Sequence, residues 1–216
     1  MHGRISILLS AILAGLLLCS CTFVSDAASY IPVDDGEEWN GYIEQVETVF
    51  RQAAAVNENT FGAVLIPGTL LCLPVMRPCE DPLEYLRKDV SGDYSVRGTP
   101  FILKGGSETF DDLVICGHYF NNGEVFGMLH SYLDDPSFIE AHPILLLCTD
   151  VGTREYSICG CEVFGSAELE RAATNKDGFR NLLGIKTGRG GMIVLVTCMD
   201  YRGSGDRRVL WAVKEW

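Results

Sequence analysis

Apolar residues in this chain come in short, nearly continuous runs separated by turn residues, with little helical striping. Runs of about 5–8 residues rich in Val, Ile and Leu between Gly, Pro, Asn and Asp read as strands. On that basis strands are predicted over 61–66, 70–75, 101–103, 113–117, 144–149, 155–164, 192–198 and 209–213. The first enters a Pro67-Gly68 turn, and Pro74 demotes the end of the second to an edge or bulge. One long amphipathic helix is predicted over 37–56, where Trp39, Ile43, Val46, Phe50 and Ala53 recur at spacings of three and four. Shorter helical pieces are expected over 82–87, 127–133, 136–141, 166–173 and 176–183. Asp135 caps the third of these with Pro136 at its first position, and Ser166 caps the fourth. Eight short strands with few helices predict a mainly β domain, a closed barrel or a sandwich.

The first residues fall outside this pattern. After Arg4, residues 5–24 are almost uninterruptedly apolar, and about twenty such residues can cross a bilayer. An uncleaved signal anchor is the favoured reading. A lipoprotein signal at Cys21 and a secretory signal cleaved near Ala27, Ala28 and Ser29 are the alternatives. Each puts the rest of the chain on the outer face of the cell membrane. The expected organisation is therefore 1–29 as targeting segment, 30–58 as linker and helix, and 59–216 as a β domain of ordinary size.

Net charge is −12 without a basic stripe, which argues against nucleic acid as a partner. Of the nine cysteines, Cys72, Cys116, Cys148, Cys159 and Cys161 lie inside apolar runs, where cysteine acts as a small hydrophobe. Cys159-Gly160-Cys161 lacks the spacing of common zinc sites, so no metal is expected. Gly188-Arg189-Gly190-Gly191 is too generic for a phosphate cradle, and no cofactor is expected.

Cys198 differs from the other thiols. It ends an apolar run beside a polar, glycine-rich stretch, and Arg207-Arg208 opens the next run. His118 ends an earlier run. Cysteine, histidine and arginine at three strand ends can perform acyl transfer. A thiolate attacks, an imidazole moves protons and a guanidinium steadies the oxyanion. His130 and His142 read as packing or surface residues, and His2 precedes the apolar segment.

The ordered series of residues resembles the class B sortases. Phe61-Gly62-Ala63-Val64-Leu65-Ile66-Pro67-Gly68-Thr69 and Leu73-Pro74-Val75 are similar to that family's opening strands. Tyr85-Leu86 and Gly98-Thr99-Pro100-Phe101 fit the next segment. Gly117-His118, Gly123, Phe126-Gly127, Leu129, Tyr132-Leu133, Phe138 and His142-Pro143 fit its histidine region, and Leu195-Val196-Thr197-Cys198 with Arg208 completes the pattern. The resemblance covers roughly 37–216. It implies an eight-stranded barrel bearing a membrane-anchored cysteine transpeptidase. Such an enzyme cuts a C-terminal sorting signal of a secreted protein after threonine and passes the acyl group to a cell-wall precursor amine or a pilin lysine. It also implies Cys198 as nucleophile, His118 as acid/base, Arg208 as oxyanion-stabilising group and Thr197 as part of the substrate site. Val194 stands where the family has a threonine, the 165–191 connection is short, and 104–111 is compact.

Alternation along the last strand puts Val209, Trp211 and Val213 on one face and Arg208, Leu210, Ala212 and Lys214 on the other. The bulkier first set is expected in the core, which turns Arg208 to the outer wall and Arg207 away from it; alternation leaves the face of Cys198 open, and the resemblance implies that it lies in a groove on the outer wall beside Arg208. Two other readings are a cysteine endopeptidase that releases its product to water, and a catalytically silent binding module on the same fold.

Overall fold

A computed structural model describes residues 36–103, 112–186, 190–198 and 205–214. The targeting segment expected over 1–29 lies outside the described residues, as does the compact stretch 104–111. Eight strands close into a barrel in the order β1-β2-β3-β4-β7-β8-β6-β5. They are β1 (Thr60–Leu65), β2 (Cys72–Met76), β3 (Phe101–Ile102), β4 (Asp112–Cys116), β5 (Ile144–Thr149), β6 (Gly152–Gly165), β7 (Met192–Cys198) and β8 (Asp206–Val213). Of the two β architectures predicted, the barrel is the one formed.

The runs lack polar alternation because several strands are covered on both faces. In β1, Val64 packs inside the barrel with Leu145, Leu147, Ile193 and Leu195. Ala63 and Leu65 face outward and join Val46 of α1 (Gly36–Val56) with Leu146 and Cys148. Trp39, Ile43 and Phe50 pack onto this second cluster, so the predicted stripe is the docking face of α1. Pro74 is tolerated because the far side of β2 holds only one register pair, Met76 with Phe101.

On the opposite wall, β7 and β8 are also sandwiched. Ile193, Leu195, Leu210 and Ala212 belong to the interior cluster. Val194, Val196, Val209 and Trp211 pack outward against Leu169 and Ala172 of α4 (Ser166–Ala173) and Phe179 of α5 (Gly178–Leu182). This reverses the expected faces of β8. Side-chain bulk was a poor guide, because α4 and α5 give the outer face an apolar cover of its own. Arg208 is therefore on the interior side and Arg207 on the helix-covered side.

Two local details also differ from expectation. Gly165, with extended dihedrals (φ −69°, ψ 146°), occupies the cap position of α4, and its N–H donates to Glu168 Oε2 at 3.0 Å. The Ser166 hydroxyl instead donates to the Gly205 carbonyl. Cys159 is exposed, because the β6–β8 register shifts between Ile158 and Gly160. Gly160 then lies against Trp211, where a Cβ would come within 2.5 Å of the indole. Asp135 does act as a cap, its Oδ1 accepting the Ser137 N–H at 2.9 Å ahead of α3 (Ser137–Ala141). The other short helix, α2 (Ser131–Asp134), follows a 3-10 turn over Gly127–His130.

The α5 side of the barrel is fixed by a buried ion pair. Arg180 holds the Asp112 carboxylate with Nε and Nη2 and donates to the carbonyls of Lys186 and Gly190. Asp112 also accepts the Met192 N–H at 3.2 Å. One guanidinium thus ties α5 to the starts of β4 and β7. Among the described residues no helix is long and apolar enough to cross a membrane.

Candidate functional site

Three strand ends meet at one rim of the barrel. β4 and β7 are parallel neighbours, with Cys116 opposite Val196, and the Gly117 N–H donates to the Val196 carbonyl at 3.1 Å. His118 and Cys198 follow this pair by the same number of residues on adjacent strands. β7 and β8 are antiparallel, pairing Thr197 with Arg208 and Cys198 with Arg207. All four residues singled out in the sequence, His118, Thr197, Cys198 and Arg208, thus gather across β4, β7 and β8. Arg208 lies on the interior side, opposite Thr197, and the direct cross-strand partner of Cys198 is Arg207.

The segment carrying His118 is tightly determined. A Cβ on Gly117 would come within 2.7 Å of the buried Phe126 ring, so glycine lets that ring close over the strand end. The Phe126 N–H returns to the His118 carbonyl at 3.0 Å. The connection from β2 to β3 packs alongside, with Arg97 bridging to Glu124 at 2.6 Å. His118 is half-buried, and its Nε2 lies 2.7 Å from the Leu86 carbonyl. A carbonyl can only accept, so Nε2 carries the proton and the neutral ring keeps its lone pair on Nδ1. Burial lowers the His118 pKa, the Leu86 carbonyl opposes that, and the nearby Arg87 charge lowers it further. The net direction is down, which favours a neutral imidazole able to accept a proton.

Other thiols are poorly suited to nucleophilic work. Burial raises the Cys72 pKa to about 11 and the Cys161 pKa to about 12, and it raises Cys148 as well. These remain protonated at neutral pH and act as packing groups. Cys72, Cys148 and Cys161 are free of disulfides. Arg208 is only 5 % exposed, and its guanidinium carbon stands 5.3 Å from the centre of the Tyr119 ring.

Three features went unread in the sequence: the pairing of Arg207 with Cys198, the Leu86 carbonyl behind His118, and the Tyr119 ring over Arg208. Strand parity contained the first, once it is known which face the helices cover. The other two depend on the 77–100 and 117–126 connections, whose course has no periodic signal.

A closed eight-stranded barrel with a helix before it, short peripheral helices, and histidine and cysteine at adjacent strand ends is the architecture of sortases. Solved structures similar to this chain are class B sortases. The Staphylococcus aureus sortase B–substrate complex matches with a TM-score of 0.64 and 20% identity, over 81% of this chain and 88% of that one. Clostridium perfringens sortase B matches with 0.63 and 18%, over 76% and 98%. A Streptococcus pyogenes class B sortase involved in pilus biogenesis matches with 0.60 and 24%, over 76% and 96%. No family model and no curated protein matches the chain. The fold is therefore the class B sortase fold, as the ordered motifs suggested.

Proposed function

We propose that this chain is a sortase-type cysteine transpeptidase acting at the outer face of the cell membrane, held there by its apolar N-terminal segment. The single observation that carries the reading is the register across β4, β7 and β8, which brings His118, Cys198 and Arg208 to adjacent strand ends. In this reading His118 takes the Cys198 thiol proton on its free Nδ1, and the thiolate attacks the carbonyl carbon of a threonine in a C-terminal sorting signal. The tetrahedral oxyanion is met by Arg208. The carbon–nitrogen bond breaks, and the leaving amine takes a proton held by His118. The resulting thioester is opened by an amine of a cell-wall precursor or a pilin lysine. His118 accepts that amine's proton, and the thiolate is released.

Arg208 is the oxyanion group in this reading, as the sequence resemblance implies, and its buried Nε and Nη1 have no hydrogen-bond partner among the described residues. The fold supports a peptide substrate and an amine acceptor by analogy. Of the structures named, one is a substrate complex and another serves pilus biogenesis. The test is to incubate the full chain in detergent with a library of sorting peptides, with and without triglycine as amine acceptor. Peptide joined to triglycine is the expected product. Cleavage with water alone, unaffected by triglycine, indicates an endopeptidase, and no cleavage of any peptide leaves only a binding module.

A further inference from the structure

Tyr85-Leu86 and Gly98-Thr99, two motifs of the sequence series, carry none of the reacting groups. Both lie in the 77–100 connection, and both converge on one carbonyl. Leu86 closes the 3-10 turn Glu84–Leu86, its N–H donating to the Leu83 carbonyl at 2.9 Å. Its own carbonyl accepts the His118 Nε2–H at 2.7 Å. Thr99 is buried and holds this turn from behind. Its N–H donates to the Tyr85 carbonyl at 3.0 Å, and its hydroxyl donates to the Lys88 carbonyl at 3.0 Å. One residue thus ties the chain before and after Leu86. Gly98 sets the spacing. Its φ is +60°, and a Cβ there would lie 2.5 Å from the Leu86 oxygen and 2.6 Å from the Tyr85 oxygen. Any other residue would push against the oxygen that His118 uses.

The turn is also anchored to the helix before the barrel. Asn57 follows α1, and its Nδ2 donates to the buried Tyr85 hydroxyl at 3.1 Å and to the Val90 carbonyl at 2.8 Å. The Leu86 carbonyl is therefore a fixed acceptor. A neutral imidazole that donates to it carries its proton on Nε2 and keeps Nδ1 as the basic atom. After a second proton arrives on Nδ1, the ring is cationic and donates the same bond more strongly. Burial and the Arg87 charge both disfavour that cation, and the Leu86 carbonyl works against them. A nucleophile and its base are completed by a third group that orients the base.

We propose that the Leu86 carbonyl is this third group for His118, and that Gly98 and Thr99 are positioning residues that act through it. The carbonyl keeps the proton on Nε2, so that Nδ1 is the atom that takes and returns protons. Its distance from the ring is set by the missing side chain of Gly98 and by the two hydrogen bonds of Thr99. In giving the ring a catalytic use, the proposal rests on the transpeptidase reading.

The test is NMR of the full chain in detergent, isotope-labelled at the histidine ring nitrogens, at a pH about one unit above the usual histidine pKa of about 6.5. The His118 signals are assigned by their loss in His118→Gln. Correlations between the ring nitrogens and the carbon-bound ring protons show which nitrogen is protonated. The expected state is a neutral ring protonated at Nε2, with the Nε2–H proton visible and protected from exchange with water. Gly98→Ala is expected to displace the Leu86 oxygen and abolish that proton signal. Thr99→Val, which keeps the shape and removes the hydroxyl, is expected to lower the protection about fivefold, the scale of one neutral hydrogen bond. Thr99→Ser, which keeps the hydroxyl, is expected to retain it. A wild-type ring protonated at Nδ1, an Nε2–H that exchanges as fast as in free histidine, or a signal unchanged in Gly98→Ala overturns the proposal. If Gly98→Ala does not fold, the wild-type ring and the Thr99 pair decide it, and equal protection in Thr99→Val and Thr99→Ser overturns it. These measurements involve no substrate. A chain with the Nε2–H bond that forms no thioester loses only the transpeptidase reading, and one that forms the thioester with its ring protonated at Nδ1 loses only the role of the carbonyl.

Discussion

At the residue scale, the two adjacent arginines separate by parity. Arg207, on the helix-covered side, stands opposite Cys198 in the strand register, and Arg208, on the interior side, stands opposite Thr197. Removing an oxyanion donor typically lowers the rate on the order of 10²–10³-fold. Arg208→Ala is expected to lower kcat by that order on a cleaved peptide, and Arg207→Ala to lower it much less. Steady-state kinetics of both variants checks the assignment, and a kcat loss confined to Arg207→Ala contradicts it. His118 gives a pH prediction. Its pKa is lowered in the fold, chiefly by burial, from about 6.5 in the unfolded chain. Below that value the unfolded state binds a proton the folded state resists. The neutral ring's contribution is therefore complete above about pH 6.5 and is lost as pH falls toward the lowered folded pKa. His118→Gln is expected to flatten that part of the profile. Urea titrations of both proteins from pH 7.5 to 4.5 measure the difference, and parallel profiles refute the assignment.

Elements were legible where periodicity is strong and illegible where packing decides. The stripe of α1, the apolar run of β7 and the strand-end position of Cys198 could all be read from residue order. The faces of β8 could not. Both Leu210 with Ala212 and Val209 with Trp211 are apolar, and only the position of α4 and α5 says which pair is inside. Nor could the partner of Arg180 be named, since Asp112 is distant in sequence and meets it only once the barrel closes. That clamp holds the connection between β6 and β7 against the wall. Removing one partner of a buried pair leaves an uncompensated charge, which costs about 3–5 kcal/mol. Asp112→Asn is expected to lose stability in that range by denaturant unfolding, with the midpoint shifted and the slope unchanged. A loss within about 0.5 kcal/mol, the scale of ordinary surface changes, means the pair contributes little.

For the whole molecule, eight strands of mostly continuous apolar character, closed into a barrel and covered on opposite sides by α1 and by α4 with α5, account for the hydrophobic runs. The rim where β4 and β7 end and β8 begins collects histidine, cysteine and both arginines. The central claim is that this rim forms a thioester on Cys198. Intact-mass measurement of the full chain after brief exposure to the sorting-peptide library tests it most directly. The account predicts an added acyl mass that maps to Cys198, disappears on hydroxylamine treatment and is absent from Cys198→Ala. Peptide cleavage by Cys198→Ala at the wild-type rate, or an acyl mass mapping to another cysteine, contradicts it.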